Sequence, residues 1–191
     1  LYTDCGREVR GWLHLARFAS LGFAVVAPEI RSLPQAVRTS FEKAWKGEVS
    51  AGNLTAYYFN VNVLNTTEDS AVECTCRAPL FQLISDAYAA AHATQLLPFV
   101  DKGCLMTWGE GLGGALALDT AALLGSQCAG FMAQNPFFAD SESCVTDGFC
   151  SAQETPKNVR IADAMGLLDT ASFAERITCP TLMACSLEDR S

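Results

Sequence analysis

The stretch Cys104–Leu124, CLMTWGEGLGGALALDTAALL, carries an apolar strand-like run into a cluster of glycines and out into a helix-like run. Two kinds of site share that layout. Gly109-Glu110-Gly111-Leu112-Gly113-Gly114 satisfies G-x-G-x-x-G, in which glycines let the backbone approach a dinucleotide pyrophosphate at a helix N-terminus. That fingerprint also needs an acidic residue ~20 positions later, at the end of the next strand, to hold the ribose hydroxyls. The chain has Gln134-Asn135-Pro136 there, and at least two strand-like runs precede the glycines of a motif that normally opens its domain. A dinucleotide-binding module is therefore the weaker reading. The other site is the nucleophile elbow, G-x-S-x-G, where small residues two before and two after the nucleophile permit a tight strand-to-helix turn. Gly109 and Gly113 occupy those flanks and place Gly111 where the nucleophile belongs. Moving the register so that Glu110 takes that place would put Trp108 on a flank that admits only a small side chain. The elbow has the right shape and lacks its chemistry.

Other reactive residue types form no compelling cluster. The chain has two histidines, His14 and His92, and nine cysteines, an odd number, so at least one thiol lacks an intramolecular disulfide partner within this sequence. Cys74 and Cys76 are two apart and Cys144 and Cys150 six apart, but no C-x-x-C pair occurs, which gives a zinc site little support. No metal and no cofactor is expected. Cys104, Cys179 and Cys185 lie in or beside apolar runs, where a free cysteine behaves as a small core residue. Asn53-Leu-Thr55 and Asn65-Thr-Thr67 fit the glycosylation sequon. Such tripeptides arise by chance, and the compartment stays open, with organellar and secreted locations among the candidates.

The elements that must position the glycine cluster follow from length and periodicity. With 191 residues, half of them apolar, one sizeable core is expected, read as a single domain over residues 1–191. The 13 Lys+Arg against 21 Asp+Glu give a net charge of −8 without a basic stripe, which argues against nucleic acid and anionic membranes as partners. The longest apolar runs fall short of the roughly 20 residues that cross a bilayer, and the N-terminus shows no secretory-signal pattern, so a soluble globular chain is expected. Apolar strand-like runs alternate with helical patterns, the signature of a mostly parallel sheet with helices on both faces. Leu1-Tyr2 reads as the tail of a strand. Trp12, Leu15, Ala16 and Ala19 repeat at helical spacing, and Gly22 stops that helix before a strand Phe23–Ala27. Residues 32–78 read as irregular, apart from one helix in Gln35–Trp45. A long helix Leu80–Leu96, a strand Cys104–Trp108, a helix Leu112–Leu124 and a strand Gly130–Gln134 follow. A polar excursion from Ala139, extending to about residue 166, precedes a helix Ser172–Arg176 and a strand Thr181–Cys185.

Several stretches together resemble the acetyl xylan esterase / cephalosporin-C deacetylase family of α/β-hydrolases. ARFASLGFAVVAPEIR is similar to the family's helix and strand ending in Arg-Gly-Gln. LISDAYAAAHATQLLPFVDKGCLMTWGEGLGGALAL resembles its helix bearing an aspartate, here Asp86, then a strand and an elbow of Gly-Gly-Ser-Gln-Gly-Gly type. NPFFAD matches the Pro-Phe after the next strand, and LLDTASFAERITCPTLMACSLED resembles the approach to the catalytic aspartate. The resemblance implies an α/β-hydrolase fold incomplete at both ends of this sequence, with strands expected before Leu1 and a strand and a histidine-bearing loop after Ser191.

The departures from the family pattern fall where its chemistry lies. The elbow at Gly109, Gly111, Leu112 and Gly113 is vestigial: the serine is Gly111, and Leu112 follows it where the residue's N–H helps form the oxyanion hole. The His-Gly-Tyr oxyanion motif aligns with Tyr2-Thr3-Asp4, and Ser32-Leu33 replaces the Gly-Gln after Arg31. Asp189 matches the triad acid and reads equally as a solvated carboxylate near the chain end. His14 and His92 precede it, whereas the triad histidine follows the acid in chain order, so both read as ordinary helix residues. Glycine offers no atom to form an acyl-enzyme. The expectation is a catalytically inactive esterase-like protein acting as a structural or binding subunit of a larger protein assembly. The rival is an active carboxylic-ester hydrolase using Glu110 or Asp189. The resemblance also implies ring-like oligomers, and Phe137, Phe138 and Phe149 in the excursion offer either surface for a protein partner or caps on the core.

Overall fold

The computed structural model describes residues 12–29, 39, 57–58, 71–136 and 166–186. Tyr2, Thr3, Asp4, Arg31, Ser32, Leu33, Asn53, Asn65, Phe137, Phe138, Phe149 and Asp189 lie outside them, as do the strand tail Leu1-Tyr2, almost all of Gln35–Trp45 and most of the excursion. The chain divides into two compact units, one of Leu1–Arg31, Leu83–Ala139 and Phe173–Ser191, the other of Ser32–Gln82 and Asp140–Ser172.

The first unit carries the sheet. Helix α1, Trp12–Ser20, ends where Gly22 takes φ 92°, with the Phe23 N–H reaching back to the Phe18 carbonyl at 3.1 Å and the Gly22 N–H to Ala19 at 3.0 Å. This pair of bonds is the Schellman stop that only a residue tolerant of positive φ can make. The side chains turned inward are Leu15 and Phe18, while Ala16 and Ala19 are exposed. Phe18 has far more apolar area to hide than an alanine, and its ring meets Phe23 and Trp108 edge-on, at centroid separations of 6.1 and 6.0 Å.

Three parallel strands follow in the order β1 (Leu105–Glu110), β2 (Cys128–Gln134) and β3 (Thr181–Ala184). Trp108 lies opposite Met132, and Phe131 opposite Thr181. Parallel neighbours need a crossover, and helix α4, Leu112–Leu124, supplies the one between β1 and β2 and packs against both. Every residue of α4 except Leu123 is buried, as its composition of Ala, Gly and Leu around a single aspartate requires. Leu118, Ala121 and Leu124 of α4 meet Leu105, Phe131 and Ala133 of the strands in one core cluster, joined by Ala91 of helix α3 (Pro79–Gln95). Inside that contact the Thr107 hydroxyl donates to the Ala117 carbonyl at 2.8 Å, satisfying a polar group that burial would otherwise penalise.

In the second unit, helix α2 spans Ala71–Arg77, where an irregular stretch was expected. Its seven residues are too few for a periodic signal, and a short helix draws most of its stability from packing rather than propensity. Helix α5, Thr170–Ala174, of which Thr170–Ser172 belong to this unit, follows Asp169, whose carboxylate accepts the Ala171 N–H at 2.8 Å as an N-cap.

Two further expectations are corrected. Phe23–Ala27 forms no helix or ladder among the described residues, since an apolar run becomes a strand only where a neighbour offers a matching row of hydrogen bonds. Cys104 and Cys185 are exposed and Cys179 half-buried, rather than core. The first two flank strand ends, where an apolar run continues in sequence after the chain has left the core. Truncating Phe131, 1% exposed at the centre of the core cluster, tests the packing. Phe131→Ala should lower unfolding stability by about 3–5 kcal/mol, read from the urea midpoint at unchanged slope.

Candidate functional site

Ligand sites of parallel sheets lie at the carboxyl ends of the strands, because the chain must turn there and expose backbone and loop groups. In this molecule that edge brings together Glu110 at the end of β1, Gly111 after it, Asn135 after β2 and Ser186 after β3. The Gly111 N–H donates to the Gln134 carbonyl at 2.9 Å, the Asn135 N–H to the Ala184 carbonyl at 2.8 Å, and the Ser186 N–H to the Asn135 side-chain oxygen at 2.8 Å. Asn135 itself has φ 43°, a left-handed conformation that asparagine tolerates better than most residues.

The turn from β1 into α4 is built by close backbone approach. A β-carbon on Gly109 would run into the Gly113 carbonyl, and one on Gly114 would come within 3.1 Å of the Gln134 carbonyl and 3.2 Å of Pro136. Only glycines let strand, helix and the end of β2 converge this tightly. Gly111 sits at the apex with φ 58° and ψ −125°, as the helix N-cap with no side-chain cap bond. The positive φ expected of an elbow apex is therefore present. Leu112, 1% exposed, opens the helix, so its amide is among the N-terminal donors without an intrahelical acceptor.

The remaining sequence-derived candidates are scattered. Glu110 is exposed at the end of β1. His14 lies on α1 with its ring 5.0 Å from that of Trp108, and His92 lies on α3 with its ring 4.6 Å from that of Tyr88. Among the described residues no group of His, Cys, Asp and Glu could hold a metal ion. The dinucleotide alternative also loses ground: the Gly111 amide is bonded to Gln134, and no carboxylate stands at Gln134, Asn135 or Pro136.

A cavity of about 420 Å³ opens elsewhere, along β1, with Phe18, Phe23, Val25, Phe99, Met106 and Trp108 among its walls and none of the elbow glycines. Among its described lining residues the one thiol is Cys104, whose pKa is raised by a hydrogen bond to the Asp101 carboxylate, reinforced by that group's negative charge. Sequence reasoning did not find this hollow, because its walls come from separate segments of chain.

A parallel sheet crossed by α4, with a tight glycine turn at the carboxyl edge after β1, fits the α/β-hydrolase class. The acetyl xylan esterase (AXE1) family model matches residues 77–191, and the chain belongs to that family. Among solved structures it is similar to acetyl xylan esterase 1 from Thermoanaerobacterium sp. JW/SL YS485, with TM-score 0.65 and 18% identity over 95% of this chain and 56% of that one. It is also similar to the acetyl xylan esterase from Paenibacillus sp. R4, with TM-score 0.67 and 18% identity over 98% of this chain and 58% of that one. The chain thus spans little more than half the length of these relatives. No curated protein matches the sequence.

The elbow geometry gives two graded expectations. Gly111→Ser should cost about 1–3 kcal/mol, the strain of a side chain at this φ and ψ. Gly109→Ala should cost more, because its β-carbon meets fixed backbone rather than a flexible side chain. Urea unfolding of the two variants beside the parent checks the order.

Proposed function

We propose that this protein is a non-catalytic member of the acetyl xylan esterase family, serving as a structural or binding subunit of a larger protein assembly. The observation that carries the reading is Gly111, which occupies the apex of an intact elbow without any side chain. The two-step acyl transfer of serine hydrolases needs an oxygen at that apex to take the acyl group, and a backbone amide already bonded to Gln134 does not supply it. Neither Glu110, exposed one residue earlier, nor the two histidines, occupied with Trp108 and Tyr88, provide a nucleophile paired with a base.

An assembly role is supported by surface chemistry. Leu96 is 78% exposed and Phe99 73%. Exposed apolar side chains are what a protein partner covers, and the net charge of −8 disfavours a nucleic-acid partner. None of the described helices is long and apolar enough to cross a membrane.

The purified protein should not hydrolyse p-nitrophenyl acetate above buffer, and a serine-directed fluorophosphonate should leave it unlabelled. Turnover that disappears in Glu110→Gln would instead establish the active-hydrolase alternative, and stoichiometric labelling of any serine, with turnover lost on blocking it, would refute the proposal. On the assembly side, size-exclusion chromatography with light scattering on native extract should show the chain in a species larger than a monomer. Elution as a free monomer at every concentration, with no co-purifying protein, counts against a subunit role.

A further inference from the structure

Two thiols meet at the amino-terminal end of the sheet, away from the elbow. Cys128 opens β2 and is 4% exposed; Cys179 is half-buried, with only Pro180 between it and β3. Both are free, and Cys179 packs against the core cluster that contains Cys128. The Cys128 thiol donates to the Gly130 carbonyl at 3.2 Å, with the Cys179 thiol beside it.

Strand register accounts for the meeting. Phe131 lies opposite Thr181, and the Phe131 N–H donates to the Pro180 carbonyl at 3.0 Å. The β1–β2 ladder pairs Leu105 with Cys128 but Met106 with Gly130, so a bulge at Ala129 returns the Cys128 side chain to the face that carries Phe131, and Cys179, two residues before Thr181, packs against the cluster on that face. Neighbouring strands stand about 4.8 Å apart, which puts side chains on the same face within reach of one another. A disulfide spans roughly 4.4–6.8 Å between α-carbons.

We propose that Cys128 and Cys179 are the site of an intramolecular disulfide, formed by exchange with a small-molecule disulfide of the glutathione class. The bond ties β2, in the core, to exposed β3. It also closes all the chain between the two cysteines into one loop, which restricts the unfolded state.

The order of events follows from burial. Desolvation, first, and the neighbouring Cys179 push the Cys128 thiol up to about 11, so it is protonated at neutral pH and shielded from solvent. Cys179 is the accessible sulfur. Its thiolate attacks one sulfur of oxidised glutathione, forming a mixed disulfide and expelling one glutathione thiolate, which takes up the proton Cys179 lost. Cys128 then gives up its proton and attacks the Cys179 sulfur, expelling the second glutathione as a thiol. The protein loses two hydrogens and two electrons, and one glutathione disulfide becomes two glutathione thiols.

Incubating the reduced, purified protein with oxidised glutathione, blocking remaining thiols with iodoacetamide and digesting with chymotrypsin tests this. Cleavage after Leu124, Phe131, Phe173 and Leu182 isolates Gly125–Phe131 and Ala174–Leu182, each holding one cysteine. Mass spectrometry should find these two peptides joined in the wild type and in Cys104→Ser, and the joined species lost in Cys179→Ser. Recovery of both peptides alkylated, of Cys179 carrying glutathione with Cys128 still free, or of either cysteine joined elsewhere would overturn the proposal.

Discussion

Where β1 turns into α4, backbone packs on backbone with no side chain between. Gly109 lies so close to Gly113 that a β-carbon would collide with its carbonyl, and Gly114 closes on the last residues of β2. Much else in the first unit depends on this approach. It sets the angle at which α4 leaves the strand, and hence lets Leu118, Ala121 and Leu124 land on Leu105, Phe131 and Ala133. It also brings Thr107 to the Ala117 carbonyl. Interiors packed to crystal-like density tolerate little displacement, so a helix shifted by one methyl group would lose contacts along its whole length.

The same constraint accounts for the form of the turn with glycine at its apex. Its shape serves the packing of α4, and Gly111 joins β1 to β2 through the Gln134 carbonyl. Removing a serine hydroxyl from such an apex takes nothing from the core and relieves a strained conformation, since glycine adopts φ 58° at little cost. A fold of this kind can therefore persist on structural grounds alone.

The regular elements of the first unit were largely legible in the sequence. Helix α4 has the bounds its composition indicated, α3 differs by one residue at each end, and β2 begins two residues earlier than the apolar run suggested. These segments are long or strongly patterned, and their neighbours in space agree with their local preference. Phe23–Ala27 reads the same locally as β1 but forms no ladder among the described residues, and α2 is too short to announce itself.

For the site, residue types alone determined that no serine stands at the elbow, that no acidic residue follows β2 to bind a ribose, and that the glycines are spaced for a tight turn. Only the tertiary structure decided that Gly111 is the apex with positive φ, that the carboxyl edge is laced through Gln134, Asn135 and Ala184, and that His14 sits against Trp108. It alone brought Cys128 beside Cys179 across most of the excursion. The physical reason is that pattern and propensity act between residues a few positions apart. Contacts between distant residues depend on strand register and crossover geometry, which the packing of the whole sheet sets.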